Sequence, residues 1–146
     1  MTAACELLLA GGGHSHALLL KRWGMQPERR PQQSITLVNR SSTALYSGMV
    51  PGLIAGVYQR DELAIDLRQL CDRAGVAFVE AEIIGLEPEQ NRLKLQGRPE
   101  LHFDWLSLDV GAVSRPSAAG VPIKPLEASL AFLESEDQSD PRPLRV

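Results

Sequence analysis

Residues 5–16 read Cys5-Glu6-Leu7-Leu8-Leu9-Ala10-Gly11-Gly12-Gly13-His14-Ser15-His16, a short apolar run that ends in three glycines. A run of this length fits a parallel strand buried on both faces. From His14 to Met25 the apolar residues Ala17, Leu18, Leu20 and Trp23 recur at near-helical spacing. Lys21 and Arg22 at the far end complement a helix C-terminus. Pro27 and Pro31 bracket a polar loop, and Ser34-Ile35-Thr36-Leu37-Val38-Asn39 is β-branched and reads as a second strand. Strand, glycine turn, helix and strand make a βαβ unit with a right-handed crossover. The fold class is therefore α/β, built on a parallel core.

Downstream, Leu45 to Gly56 holds too much Gly and Pro for one long helix, though a short helix can start near Pro51. Asp66 caps a helix over Leu67 to Ala74, which Gly75 ends. Val76 to Ala81 reads as a third parallel strand. Ile83–Leu86, Arg92–Leu95 and Glu100–Phe103 form a small antiparallel insertion, with a turn at Gly97-Arg98-Pro99. Trp105 to Val110 is one more strand, closed by Gly111. Leu126 to Leu133 reads as a helix, Glu134 to Pro143 as a polar linker, and Leu144-Arg145-Val146 as the start of another strand.

The turn has a chemical reading. Against the pattern G-x-G-x-x-G, Gly11 and Gly13 fit the first two glycines and His16 stands for the third. Gly11 permits the sharp turn. Gly13, with Gly12 beside it, keeps side chains away from a diphosphate, whose charge the helix N-terminus stabilises. The amides of His14 and Ser15 are the natural anion donors. His16 implies a wider helix–strand contact than a glycine would allow. At the end of the second strand, where an acidic residue usually meets the ribose hydroxyls, stand Asn39 and then Arg40; Arg40 suits either a 2′-phosphate or plain solvent. His14 and His16 diverge from a helix start, and no cluster of ligands completes a tetrahedron around them, so no metal site is assigned. Ser15 lacks the G-x-S-x-G elbow of a hydrolase.

Composition narrows the function classes. The 146 residues are 44% hydrophobic and 23% charged, which suits one globular core. Fifteen basic against 18 acidic residues give a net charge of −3, with no basic patch for nucleic acid. The apolar start, Leu7 to Leu20, is interrupted by three glycines and two histidines, so no transmembrane segment is expected. It also lacks the basic lead of a secretory signal. Cys5 and Cys71 lie far apart and offer neither a disulfide framework nor a CxxC pair; reduced thiols suit a cytoplasmic location.

The stretches LLLAGGGHSHALLLKRW (residues 7–23), LYSGMVPGLIAGVY (45–58) and FDWLSLDVGAVSRP (103–116) together resemble the pyridine nucleotide–disulfide oxidoreductase type of flavoprotein. Type II NADH dehydrogenases and sulfide:quinone oxidoreductases are the nearest in kind. Nearer still is the flavoprotein module fused ahead of selenide, water dikinase. The resemblance spans residues 7–146. It implies a Rossmann-like FAD-binding fold, incomplete relative to the family, and a non-covalent FAD. Gly11, Gly12, Gly13, His14 and Ser15 would then hold the diphosphate, and Asn39 with Arg40 would meet the adenosine ribose. Tyr46, Ser47, Gly48, Met49, Val50 and Pro51 would run beside the flavin, and the backbone at Glu82 and Ile83 would border the adenine. Asp109 and Gly111 would stand in a second glycine turn where the family has A-T-G. Two departures mark this site: Asn39 for an acid, and Asp109-Val110 for Ala-Thr.

The same resemblance divides the chain into an FAD-binding domain over residues 1–116 and a connecting helix and linker over 117–146. The linker leads toward an NAD(P)H-binding half found downstream or in another chain. The C-x4-C redox pair of disulfide reductases is absent from the sequence. Hydride transfer needs nicotinamide and flavin face to face, so no catalytic residue is assigned and the chain alone is expected to be catalytically incomplete. Two other readings stay open: a non-catalytic remnant or interaction module that keeps the scaffold, and an NADP-binding module using Arg40.

Overall fold

The structure is a computed structural model that describes residues 6–112 and 126–137. The chain divides into two compact units, Met1–Gly111 and Ala112–Val146.

In the first unit, β1 (Glu6–Ala10), α1 (His14–Met25) and β2 (Ser34–Asn39) form the βαβ unit read from the sequence. After β2 come β3 (Thr43–Leu45), the short helix α2 (Val50–Ile54) and β4 (Ala64–Asp66). Then follow α3 (Leu67–Ala74), β5 (Ala77–Glu80), β6 (Ile83–Glu87), β7 (Arg92–Leu95), β8 (Leu101–His102) and β9 (Trp105–Leu108). A four-stranded sheet runs β5-β2-β1-β9, every pair parallel. A three-stranded antiparallel sheet runs β6-β7-β8, and β3 pairs with β4.

The central strands have no solvent face, which is why β1 carries leucines without polar alternation. Leu9 of β1 and Ile35 and Leu37 of β2 pack with Ala17, Leu20 and Trp23 of α1 and with Leu67, Cys71 and Ala74 of α3. Leu8, Ala10 and Val38 point the other way, onto Leu93 and Leu95 of β7. The period of two thus distributes one apolar run between two cores. Burying each fully enclosed leucine favours the fold by roughly 1.5–3 kcal/mol. The local signals for α3 hold at both ends. Asp66 accepts from the Gln69 amide at 2.9 Å, and Gly75 leaves the helix at φ +64.

Several boundaries differ from the sequence reading. The β3–β4 pair was not anticipated, because three-residue strands are too short to show a period. The strand expected over Trp105 to Val110 stops at Leu108, and the one over Val76 to Ala81 is β5, Ala77–Glu80. In the second unit, α4 spans Leu126–Asp137, so the linker expected from Glu134 begins inside a helix. No Gly or Pro interrupts those twelve residues, and Glu and Ser have helix propensities that allow the helix to continue. Cys5, Pro116, most of the expected linker and Leu144-Arg145-Val146 lie outside the described residues. Among the described residues no helix is long and apolar enough to cross a membrane.

Candidate functional site

β1 is flanked by β2 on one side and β9 on the other. Its crossover through α1 leads to β2, whereas β9 arrives on the opposite side. The C-terminal end of β1 therefore opens on the crevice where ligands bind to open α/β sheets. The glycine turn leaves the sheet at this point.

Each glycine answers to a neighbour in its own chain. Gly11 adopts φ +93, and its amide donates to the Val38 carbonyl at 2.8 Å. A Cβ there would also run into the Asp109 carbonyl group and stand 2.8 Å from the Val110 Cα. A Cβ on Gly12 would collide with the Leu67 side chain and lie 3.1 Å from the Asn39 Cγ. Gly13 has φ −69 and ψ 179, a conformation open to any residue, so its reason is contact alone. A Cβ on Gly13 would fall within the carboxylate of Asp109, 2.5 Å from Oδ2. The space that the sequence reading reserved for a diphosphate against Gly13 is held by a protein carboxylate.

Gly13 is the N-cap of α1 and has no side chain with which to cap it. Asp109 does so from the far end of the unit. Its Oδ2 accepts from the His16 amide at 3.1 Å, 93 residues away in sequence. Its main chain is pinned on both sides, with Asp109 N donating to the Ala10 carbonyl at 2.8 Å and Gly13 N donating to the Asp109 carbonyl at 3.2 Å. The first intrahelical bond runs from Ala17 N to the Gly13 carbonyl at 3.0 Å. The amides of His14 and Ser15 have no acceptor among the described residues, and both residues are exposed. These two donors, at the positive end of α1, are what the turn offers to an anion.

His16, which stands for the third glycine, is 3% exposed. Its Nδ1 lies 2.7 Å from the Gly11 carbonyl and its Nε2 lies 2.8 Å from the Ser107 hydroxyl. A carbonyl only accepts, so Nδ1 donates to Gly11, while Nε2 is paired with the Ser107 hydroxyl, which can either donate or accept. The helix–strand gap is thus filled by an imidazole that braces the turn against β9. His14 goes the opposite way, stacking on Tyr46 with ring centroids 5.1 Å apart and planes 13° from parallel.

The remaining site residues fall into two groups. Asn39, at the end of β2, accepts from the Gly12 amide at 2.9 Å through Oδ1 and donates to the Ser41 carbonyl at 2.8 Å through Nδ2. An aspartate would make only the first of these bonds, which gives the departure at this position a structural reason. Arg40 is exposed just beyond it. The Ala81 amide donates to the Asn39 carbonyl at 2.9 Å, which brings the start of Glu82 and Ile83 to the same edge. Gly111 follows β9 with φ +76, and among the described residues no atom would crowd a Cβ there.

Ser47 and Gly48 lie in the turn after Tyr46, whose ring packs so near Gly48 that a Cβ would stand 2.7 Å from it. That segment reaches the glycine turn through the Tyr46–His14 stack. No hydrogen bond or ring contact among the described residues ties half-buried Met49 or exposed Pro51 to the turn. Sequence reasoning did not single out Ser107 or Leu67 as parts of this site. No local pattern marks them, because each acts through a tertiary contact.

No protein-family model matches the chain, and no curated protein matches its sequence. Solved structures do match its backbone. The sulfide:quinone oxidoreductase of Aquifex aeolicus aligns with a TM-score of 0.68 at 16% identity, over 93% of this chain and 33% of that one. The fold is the Rossmann-like one of FAD-binding flavoproteins. The water-forming NADH oxidase of Lactobacillus brevis, solved bound to NADH, gives a TM-score of 0.64 at 17% identity, over 92% of this chain and 32% of that one. NDH2 of Plasmodium falciparum, solved in complex with NADH, gives 0.59 at 14% identity, over 79% and 24%. The chain spans about a third of the length of the first two of these structures and about a quarter of the third.

Proposed function

We propose that this chain is the FAD-binding portion of an NAD(P)H-dependent flavin oxidoreductase of the NADH dehydrogenase kind, similar to the module fused to selenide, water dikinase. The observation that carries this reading is the pair of open amides on His14 and Ser15, at the crevice beside β1 in a flavoprotein fold. In this reading those amides take the FAD diphosphate, while Gly11, Gly12 and Gly13 shape the turn. Asn39 and Arg40 face the adenosine ribose, and the backbone at Glu82 and Ile83 borders the adenine. Ser47, Gly48, Met49 and Pro51 run beside the isoalloxazine, and Asp109 with Gly111 closes the second turn. The bound flavin supplies two-electron chemistry; these residues position it and shield it from water. Residues 1–116 form the FAD-binding domain and 117–146 the connection to a nicotinamide-binding half, in further sequence or in another chain, within the cytoplasm.

The fit to FAD is not free of conflict, since the Asp109 carboxylate already uses the His16 amide. That every glycine of the turn is required by its own chain also favours the second reading, a scaffold kept without its ligand. Titration of the 146-residue chain with FAD separates the two. A ligand at a hundred times its Kd adds about 2.7 kcal/mol to stability. The FAD-binding reading therefore expects a rise of several degrees in Tm, with flavin absorbance retained after gel filtration. No shift and no retained flavin at millimolar FAD would leave the scaffold reading in its place.

A further inference from the structure

We propose that Asp109 is an autoinhibitory carboxylate: it competes with the cofactor diphosphate for the first turn of α1 and so sets how tightly this chain takes an anion. The inference rests on the FAD reading above for the identity of the ligand, but not for the contact itself.

Three observations converge on it. The Asp109 carboxylate lies against Gly13, on the face that a diphosphate would approach, and its Oδ2 holds the His16 amide at 3.1 Å. Among the described residues no Lys, Arg or His side chain forms an ion pair with it, and its carboxylate bonds instead to the start of α1. Its main chain is tied to Ala10 and Gly13, so it cannot withdraw with β9; only a side-chain rotation clears the turn. A diphosphate on the amides of His14 and Ser15 would therefore sit next to a fixed negative charge. Alternatively it must drive Asp109 off the His16 amide. Either route weakens binding, since a like charge about 5 Å away, in the partly solvated surroundings of a protein surface, weakens anion binding by about tenfold or more.

Asp109→Asn isolates the charge. The amide oxygen still accepts from His16 N and the side-chain volume is unchanged, so the turn keeps its cap. Asp109→Ser, with a smaller acceptor, serves as the second variant if the first does not fold. The wild-type chain and the variant are titrated calorimetrically with FAD and, separately, with inorganic pyrophosphate, in low and high salt. The proposal expects both ligands to bind the variant about tenfold more tightly in low salt, with the difference shrinking in high salt. Equal affinities, or weaker binding to the variant, overturn it, and weaker binding would mean that Asp109 helps to hold the cofactor. A gain for pyrophosphate with no FAD binding to either protein upholds the inference and removes the FAD reading. Failure of both ligands to bind either protein removes both.

Discussion

Gly13→Ala isolates the contact on which the site turns. The backbone at Gly13 is in an ordinary extended conformation, φ −69 and ψ 179, so alanine brings no torsional strain. The new Cβ instead lands inside the Asp109 carboxylate. Asp109 must rotate away, and the His16 amide loses its acceptor. A hydrogen bond to a charged group contributes about 1.5–3 kcal/mol. For a half-exposed carboxylate, solvent reduces this to about 1–2 kcal/mol. Urea denaturation of the 146-residue chain should therefore show a loss of about 1–2 kcal/mol with an unchanged slope, and a Tm lower by about 5 °C. The companion measurement is the same substitution in an Asp109→Ala background, where nothing is left to displace. There Gly13→Ala should cost only a few tenths of a kcal/mol, the usual difference between glycine and alanine near an N-cap or somewhat more. The coupling between the two positions is then about 1 kcal/mol or above, as for residues in contact. A penalty that persists undiminished without Asp109, or no penalty in either background, refutes the account of why glycine stands at 13.

Other perturbations test the bracing of the turn and the core beneath it. His16→Ala strands the buried Gly11 carbonyl and leaves a void between α1 and β9, so stability should fall by about 2–4 kcal/mol in the same denaturation assay. Asn39→Asp keeps the acceptor for the Gly12 amide but sets a carboxylate against the Ser41 carbonyl; it should cost about 1 kcal/mol, and Asn39→Ala more, as Tm measurements would show. Burial pushes the Cys71 thiol up to about 12, with Asp72 adding to the rise and Arg68 opposing it. Cys71 should therefore resist a thiol reagent at pH 8 in the native protein and react once it is unfolded, as peptide mapping of the labelled chain would show. The raised value also sets a sign. Above the ordinary value of 9.0 the unfolded thiol ionises while the folded one stays protonated, so stability should decline from pH 9 toward 12. Cys71→Ala should remove that part of the decline.

The fold was largely legible because its strongest signals are local. The bounds of α1, β2 and α3 follow from Gly13, Pro27, Asn39, Asp66 and Gly75, residues that start and stop elements by their own stereochemistry. The leucines of β1 announce a strand with two buried faces, and the structure sends Leu9 to the helices and Leu8 to β7. The β3–β4 pair was not legible, since neither strand completes a pattern before it ends. The far end of α4 is hidden for the opposite reason: Glu134 to Asp137 are polar and look like linker, yet no residue among them breaks the helix.

The site was legible in outline and not in its chemistry. A glycine says only that something comes near; it does not say what. The sequence pattern assigns that neighbour to a phosphate, yet at Gly13 it is Asp109, at Gly12 it is Leu67 and Asn39, and at Gly11 it is the backbone of Asp109 and Val110. These partners come from the ends of β2 and β9 and the start of α3, elements that meet the turn only after the parallel sheet has formed. What survives for a ligand is what the protein leaves unspent, namely the amides of His14 and Ser15. The two departures from the flavoprotein pattern, Asn39 and Asp109, both bond at this corner, Asn39 to the Gly12 amide and Asp109 to the His16 amide. Asn39 both accepts and donates there, where an acid would only accept, and Asp109 caps a helix whose own N-cap has no side chain. Both residues therefore strengthen the turn as structure, and under the proposal above Asp109 does so at the expense of an incoming diphosphate.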